Sequence, residues 1–405
     1  NGLVGSEMCI RDRTYPFRVR GIQPRVVDET VAPMADALVY RVNKKETTRA
    51  WPVGIESGEA YFTDSNGYLA GNDVLRVDDQ LVALAPITAT HAYILYHTSD
   101  AAAGMSGKKI EPGIVQTLTV STDNPLYVFN LDVSLEWDAR NDLVFMDDLE
   151  DAFREASDIL YDITDGQVAL GAVRVFHAKE NWLGADVVIR ASNNQRPRAS
   201  LGGVVMSTVD DPLDDPDRQK LENAYSPGQV RMGPIWDPYG LNREELGDDW
   251  RNALAHELGH YLLFLPDNYL GVDLENGLIR KIDCAGSIMT DAYELRYREL
   301  LTSEEWAGSV PCQDTLAEHL TGRSDWETLA AFYDGIKIPE SGRSNPGPSF
   351  LPLEITRLTS IDPLAKTTGE ESGEELGEAL DADTEFAPAD TFPARYIDLR
   401  KGRRG

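Results

Sequence analysis

The sequence predicts a multidomain chain. An N-terminal all-β sandwich covers residues 15–140, and an α+β domain organised around one helix covers 141–336. Three observations carry this. Residues 15–140 hold short apolar runs between turn signals, without sustained helical period. From 141 onward an amphipathic helix, several strands and a second helix follow one another. From 337 onward Pro, Gly, Ser and acidic residues displace periodicity, so 337–405 reads as a linker or tail.

Residues 1–14 fit no domain. NGLVGSEMCIRDR resembles translated adaptor sequence at the edge of a metagenomic contig and is set aside, so the missing signal peptide carries no information. In the sandwich the expected strands are 37–41, 59–63, 80–85, 92–96, 116–120 and 126–130. Asn66-Gly67 supplies the positive φ of a hairpin turn. His91 and His97 share one face of a regular strand, and the plainer reading is two sheet histidines rather than a metal pair.

In the second domain, residues 147–161 set Leu149, Phe153, Ala156, Ile159 and Leu160 on one helical stripe. Residues 167–176 and 185–191 read as strands, and 201–206 as a short third. Residues 208–218 (TVDDPLDDPDR) form an acidic, proline-broken loop. Its oxygens suit Ca²⁺, but the EF-hand spacing and glycine are absent, and a solvated loop is the plainer reading. Trp236 and Tyr239, in the Gly/Pro-rich connection that follows, are candidate cleft walls. Further helices are expected over 293–301, 302–307, 315–320 and 325–333.

The chemistry is concentrated in 249–267 (DWRNALAHELGHYLLFLPD). Spacing of four places His256 and His260 on one helical face, where each offers a ring nitrogen to one Zn²⁺ at ~2.0–2.1 Å. Glu257 lies one step round, near the metal without binding it, positioned to take a proton from a water. Trp250, Leu254, Leu258, Tyr261, Leu262 and Leu265 fall on the opposite, core-facing side, and Pro266 is expected to stop the helix. With six histidines in 405 residues, this pattern arises by chance roughly once in a hundred such chains. A catalytic zinc site wants three protein ligands and water. Asp267, seven residues past His260, is the leading third ligand, with Asp273, Glu275 and Asp291 as rivals. Downstream, Ser287-Ile288-Met289 reads as a loop under the metal, and Tyr293 as a candidate oxyanion donor against the plainer role of a core aromatic.

His-Glu-x-x-His followed by Asp267, Asn268-Tyr269, Cys284 and Ser-Ile-Met resembles the metalloprotease domain of the calcium-activated chloride channel regulator family and its bacterial relatives. The resemblance covers about residues 250–290. It implies a zincin-like domain with an active-site helix and a methionine turn at Met289, zinc on His256, His260 and Asp267, and Glu257 as the catalytic base. If it holds, Gly202, Gly203 and Val204 belong to an edge strand that aligns an extended substrate. Phe264 replaces the family's usual glycine and Asn268 its usual glutamate. Residues 63–84 are similar to the transthyretin-like regulatory domains attached to carboxypeptidases and bacterial surface proteins.

Composition narrows the partners. Net charge is -30 with pI ≈ 4.5, and no Lys/Arg cluster suits a nucleic-acid duplex or an anionic membrane. No apolar run reaches transmembrane length. Once Cys9 is set aside, Cys284 and Cys312 remain, a pair that suggests one disulfide and an extracellular or cell-surface location. The expectation is therefore a secreted zinc endopeptidase acting on peptide or protein substrates, with further domains of the same chain beyond this sequence. The alternatives are an adhesion or scaffold protein with an inactive zincin domain, and a self-cleaving precursor.

Overall fold

A computed structural model describes residues 24–42, 50–52, 62–69, 80–85, 94–98, 108–110, 115–192, 195–209, 222–240, 244–273, 276–339 and 355–361. The fold is mixed α/β around one large curled sheet. The N-terminal strands are β1 (Pro24–Val27), β2 (Leu38–Val42), β3 (Ala50–Pro52), β4 (Gln80–Ala85), β5 (Ile94–His97), β6 (Lys108–Lys109) and β7 (Gln116–Thr119). The long β8 (Pro125–Leu135) leads into helix α1 (Leu143–Ile163), then β9 (Val168–Phe176) and β10 (Val187–Ile189). A hairpin of β11 (Val204–Val209) and β12 (Glu222–Pro227) precedes β13 (Val230–Met232) and helix α2 (Asp248–Leu263). A second hairpin, β14 (Leu270–Asp273) and β15 (Leu278–Lys281), comes before the short helices α3 (Ser303–Gly308), α4 (Val310–Gln313), α5 (Leu316–Thr321) and α6 (Asp325–Phe332); β16 (Arg357–Ser360) closes the described chain.

Strand β8 is the spine. Along one edge it pairs in parallel with β9, which pairs in parallel with β16. Along the other edge its start pairs antiparallel with β5 and its end pairs in parallel with β10, which carries β13. Strands β4, β2 and β3 continue outward from β5. The sheet is thus antiparallel at one end and parallel at the other. The parallel strands need crossovers, and α1 supplies the one between β8 and β9. Strand β8 is buried along almost its whole length, as expected of a strand covered on both faces.

These pairings correct two expectations. Apart from β1 and β7, the strands ahead of residue 140 share one sheet with β9, β10, β13 and β16 beyond it. The β1–β7 pair packs on β2 and β4 through Val26, Val39, Leu81, Ala83 and Leu118, but the sheet beneath it runs on across the expected boundary. The stretch read as a tail contains β16, anchored by buried Ile355 and by the Thr356 hydroxyl, which donates to the Leu170 carbonyl at 2.7 Å. A parallel partner four residues long carries no local signal of its own.

Helix α1 buries Leu149, Phe153, Ala156, Ile159 and Leu160 as its stripe requires, and the Asp142 side chain caps it by accepting from the Phe145 N–H. Its apolar face meets α2, and an Arg251–Glu155 ion pair at 2.7 Å ties the two together. The expected helix over 293–301 is absent apart from one 3₁₀ turn, Leu295–Tyr297. Its backbone bonds are spent elsewhere: the Glu299 carbonyl accepts from Ile288 N–H, and Leu301 N–H donates to Asp325 Oδ2. No helix among the described residues is long and apolar enough to cross a membrane. His91 and the loop over 210–218, with its Ca²⁺ reading, lie outside the described residues.

Candidate active site

Helix α2 holds the centre. Trp250, Leu254, Leu258, Tyr261 and Leu262 bury its inner face completely or nearly so, and Trp250 Nε1–H donates to the Gly233 carbonyl at 2.6 Å. The helix ends at Leu263, before a proline stop at 266 would require. Phe264 ends it by taking φ 62, a left-handed conformation, with its N–H returned to the Gly259 carbonyl. For a non-glycine residue this costs about 1–2 kcal/mol. The ring offsets the cost by stacking on Phe332, centroids 3.7 Å apart and planes within 3°. Gly202 also packs against the ring, where an added Cβ would lie 2.3 Å away. The turn that glycine would favour is thus reached by an aromatic held between two partners.

The early turn brings Leu265 and Asp267 back to the histidines. His260 Nδ1–H donates to the Leu265 carbonyl at 2.5 Å, and His256 Nδ1–H donates to the Ile288 carbonyl at 2.9 Å. Carbonyl oxygens only accept, so each ring carries a proton on Nδ1 and, when neutral, presents an Nε2 lone pair. Both Nε2 atoms face Asp267 Oδ1, at 3.4 Å from His256 and 3.1 Å from His260. The three donor atoms lie within 4.8 Å of one another.

This is an arrangement of acceptors facing acceptors. Asp267 Oδ1 is buried and has no hydrogen-bond partner. Something positive belongs between these atoms. Two ligands bound at ~2.0–2.1 Å to one tetrahedral centre stand ~3.3 Å apart, which matches both observed separations. The residues therefore fit Zn²⁺. Burial works to raise the Asp267 carboxyl; hydrogen bonds and positive charge from the two imidazoles, which require protons on Nε2, outweigh it and hold the group well below the usual carboxylate range, and a bound cation would stand where those protons do. Tyr269 hydrogen-bonds the same carboxylate; burial, then Asp267, pushes its hydroxyl well above the ordinary tyrosine range.

Beneath the centre, Met289 is fully buried, and its Sδ lies 2.9 Å from where a Cβ on Gly259 would sit. Glycine beside His260 is therefore what lets the methionine loop approach. Asn268 joins this loop to Asp267. Its N–H donates to the Met289 carbonyl at 3.0 Å and its Nδ2 to Asp325 Oδ1 at 2.9 Å. Asp325 is fully buried, which raises its carboxyl, while donors from Leu301, Asn268 and Ser287 oppose the shift. A disulfide, Cys284–Cys312, pins the loop from the far side in a small core with Leu301 and Trp306.

Above the centre lies a cleft of about 900 Å³, lined by His256, Glu257, His260, Asp267, Tyr269 and Tyr293 among others. Glu257 is only 7% exposed. Burial pushes its carboxyl up to about 7; His256 and Arg196 oppose this and Asp267 adds to it. Tyr293 faces the cleft, and its hydroxyl accepts from Trp236 Nε1–H at 2.5 Å. Burial pushes that hydroxyl up to about 12. Asp291 is also on the cleft, where it accepts the Tyr293 N–H. Asp273 sits on β14 with Asn276 and is not part of the three-residue cluster; Glu275 lies outside the described residues.

Gly202 and Gly203 form a 3₁₀ turn with φ 62 and 67 and not strand, and Val204 opens β11, which among the described residues pairs with β12 alone. The edge of the large sheet beside the cleft is β13, extended by residues around Arg198, which bridge antiparallel to Arg231. Sequence reasoning also missed Arg196, whose charge acts on both Glu257 and Tyr269. The available signal was compositional: no Asp or Glu occurs between Asp186 and Asp210, in a chain where 68 of 405 residues are acidic. Asp325 gave no signal, because its partners are distant in sequence. No protein-family model matches the chain, and no curated protein or solved structure is detectably similar to it.

Proposed function

We propose that the chain is a zinc endopeptidase in which His256, His260 and Asp267 hold the metal and Glu257 moves the proton. The observation carrying this is the buried, partnerless Asp267 Oδ1 facing two Nε2 lone pairs at 3.1 and 3.4 Å, beside a carboxyl that is itself desolvated. Bound zinc would lower the pKa of a water to ~7 and polarise the scissile carbonyl. Glu257 accepts the water's proton as oxygen attacks the carbonyl carbon. It then returns that proton to the departing amine nitrogen. Tyr293 O–H, at the cleft wall, is the candidate donor to the developing oxyanion. The disulfide is compatible with an oxidising, extracellular setting.

The test is zinc content and cleavage of an unstructured protein by the wild type and Glu257→Gln. Expected are about one zinc per chain in both and a loss of at least about 10³-fold in cleavage for the variant. Full cleavage by the variant removes Glu257 from the mechanism. Absence of zinc from the wild type removes the proposal. Zinc without turnover on any substrate would return the chain to the adhesion or scaffold reading, and cleavage confined to a longer form of the same chain would make it a self-cleaving precursor.

A further inference from the structure

The cleft is not electrically uniform. On one side runs the segment Gln195–Arg196–Pro197–Arg198–Ala199, beside the outer strand β13. Arg198 and Arg231 are paired backbone to backbone in both directions, at 3.2 and 2.8 Å. Residues so paired stand opposite one another on the same face, so two like charges are held together, an arrangement that ordinarily destabilises a sheet. Of these arginines only Arg196 and Arg198 line the cleft; behind them, Arg190, immediately after β10, adds a further charge, its N–H donating to the Met232 carbonyl at 2.8 Å and its buried Nε without a partner. Burial, then Arg198 and Arg190, lowers the Arg231 guanidinium from its ordinary value.

Among the described residues, none of Arg190, Arg196, Arg198 and Arg231 forms an ion pair with a carboxylate. In a chain of net charge -30, with an acid-free run from 187 to 209, this is a local reversal of sign. The carboxylates on the cleft wall, Glu257, Asp267 and Asp291, form no ion pair with these arginines; outside the cleft, Glu136 acts on Arg190 but is ion-paired with Lys179. Arg196 links the patch inward, since its charge reaches Glu257. Unpaired guanidinium groups with fixed fork geometry suit carboxylates above other ligands of a polypeptide.

We propose that this arginine-bearing edge is a subsite for acidic side chains, so that the cleft takes polypeptides carrying Asp or Glu beside the bond to be cleaved. The inference rests on the peptidase reading for the cleavage and on the arginines alone for the binding.

The experiment uses the full chain with zinc and matched fluorogenic peptides that differ only in Glu, Gln or Lys flanking the cleavable bond. In parallel, fluorescence anisotropy follows the labelled Glu peptide on the Glu257→Gln protein. Glu should be preferred over Gln by roughly tenfold, in KM and in Kd rather than in kcat. The preference should shrink as NaCl rises from about 50 to about 500 mM. Arg198→Glu with Arg231→Glu should invert it toward Lys, in a protein whose zinc content shows that it is folded. Equal binding of Glu and Gln peptides by the wild type at low salt overturns the proposal, as does an unchanged order in the folded double variant. So does binding of a sulfated glycan with no binding of the Glu peptide. Arginine-dependent binding without cleavage of any peptide would sink the peptidase reading and leave the subsite standing.

Discussion

The two ends of this sheet each hold histidines, one on a strand and two on the helix packed against it, and the difference between them shows what makes a candidate site. At the antiparallel end, His97 on β5 is 2% exposed; its Nε2–H donates to the Gly166 carbonyl at 3.0 Å, and Tyr161 lies 6.2 Å away. At the parallel end, His256 and His260 likewise give one ring N–H to a backbone carbonyl. The first hydrogen bond is the same in kind. The second nitrogen differs. His97 Nδ1 is buried with no partner, whereas the Nε2 atoms of the α2 pair converge with Asp267 on a common point. Burial of an imidazole is therefore not the signal for chemistry. The signal is what the remaining lone pair faces, and whether a second acceptor faces the same place.

The comparison is most directly broken by metal content. His260→Ala should reduce zinc from about one per chain to a small fraction and abolish cleavage, since two ligands do not hold a catalytic zinc. His97→Phe should keep its zinc. Elemental analysis of both purified proteins decides the matter. Loss of zinc from folded His97→Phe, or full retention in His260→Ala, would mean that the two ends of the sheet are not distinct in the way described.

The same contrast explains what was legible beforehand. The α2 histidines stood out because two histidines four apart on a helix are a local pattern, and the apolar stripe from Trp250 to Leu265 is local too. Strand β4 fell at 80–85, where the apolar run placed it. Asp267 stood out by its position just past the helix, although what brings it home is the left-handed turn at Phe264, which no propensity suggests. Pairing partners were not legible. Strand β8 read as a short sandwich strand over 126–130, and β16 vanished into a polar tail, because which strand lies beside which is decided by contacts far apart in sequence. Gly202 and Gly203 looked like part of a strand; their positive φ serves packing against Phe264 and Tyr261 instead. The buried Asp325–Asn268 pair was invisible for the same reason as the strand partners.

A second, smaller effect sharpens the histidine comparison through pH. Burial lowers the His97 imidazole from its ordinary value to about 4, with the Gly166 hydrogen bond partly opposing. The folded value lies below the unfolded one, so the unfolded chain binds the proton first. Stability is therefore full above about pH 6.5 and is lost as pH falls through the folded value near 4. A shift of this size corresponds to about 3 kcal/mol. Denaturant unfolding of the metal-free protein, in which zinc release from the other two histidines plays no part, should show this loss in the wild type. His97→Phe should show a flatter profile over the same range. Identical slopes in the two proteins would assign acid lability to other groups.

The smallest expected effect tests how the α2 site is held. Asn268 reaches from beside Asp267 to both the Met289 carbonyl and Asp325, so Asn268→Ala removes a hydrogen bond to a fully buried carboxylate while leaving His256, His260 and Asp267 in the chain. Loss of an outer partner of this kind costs about 10–100-fold in metal affinity. Asp325, left with the Leu301 and Ser287 donors but short of one partner, adds about 1–3 kcal/mol of destabilisation. Competition with a chelator reads the first quantity and denaturant unfolding of the metal-free protein reads the second. If Asp325 acts only as a structural anchor, stability falls and zinc affinity does not. If it positions Asp267 through Asn268, both fall, and Asp325→Asn, which keeps the shape of the side chain but removes its charge, should weaken zinc binding in the same direction. A variant with unaltered zinc affinity would place the organisation of the third ligand in the Phe264 turn alone.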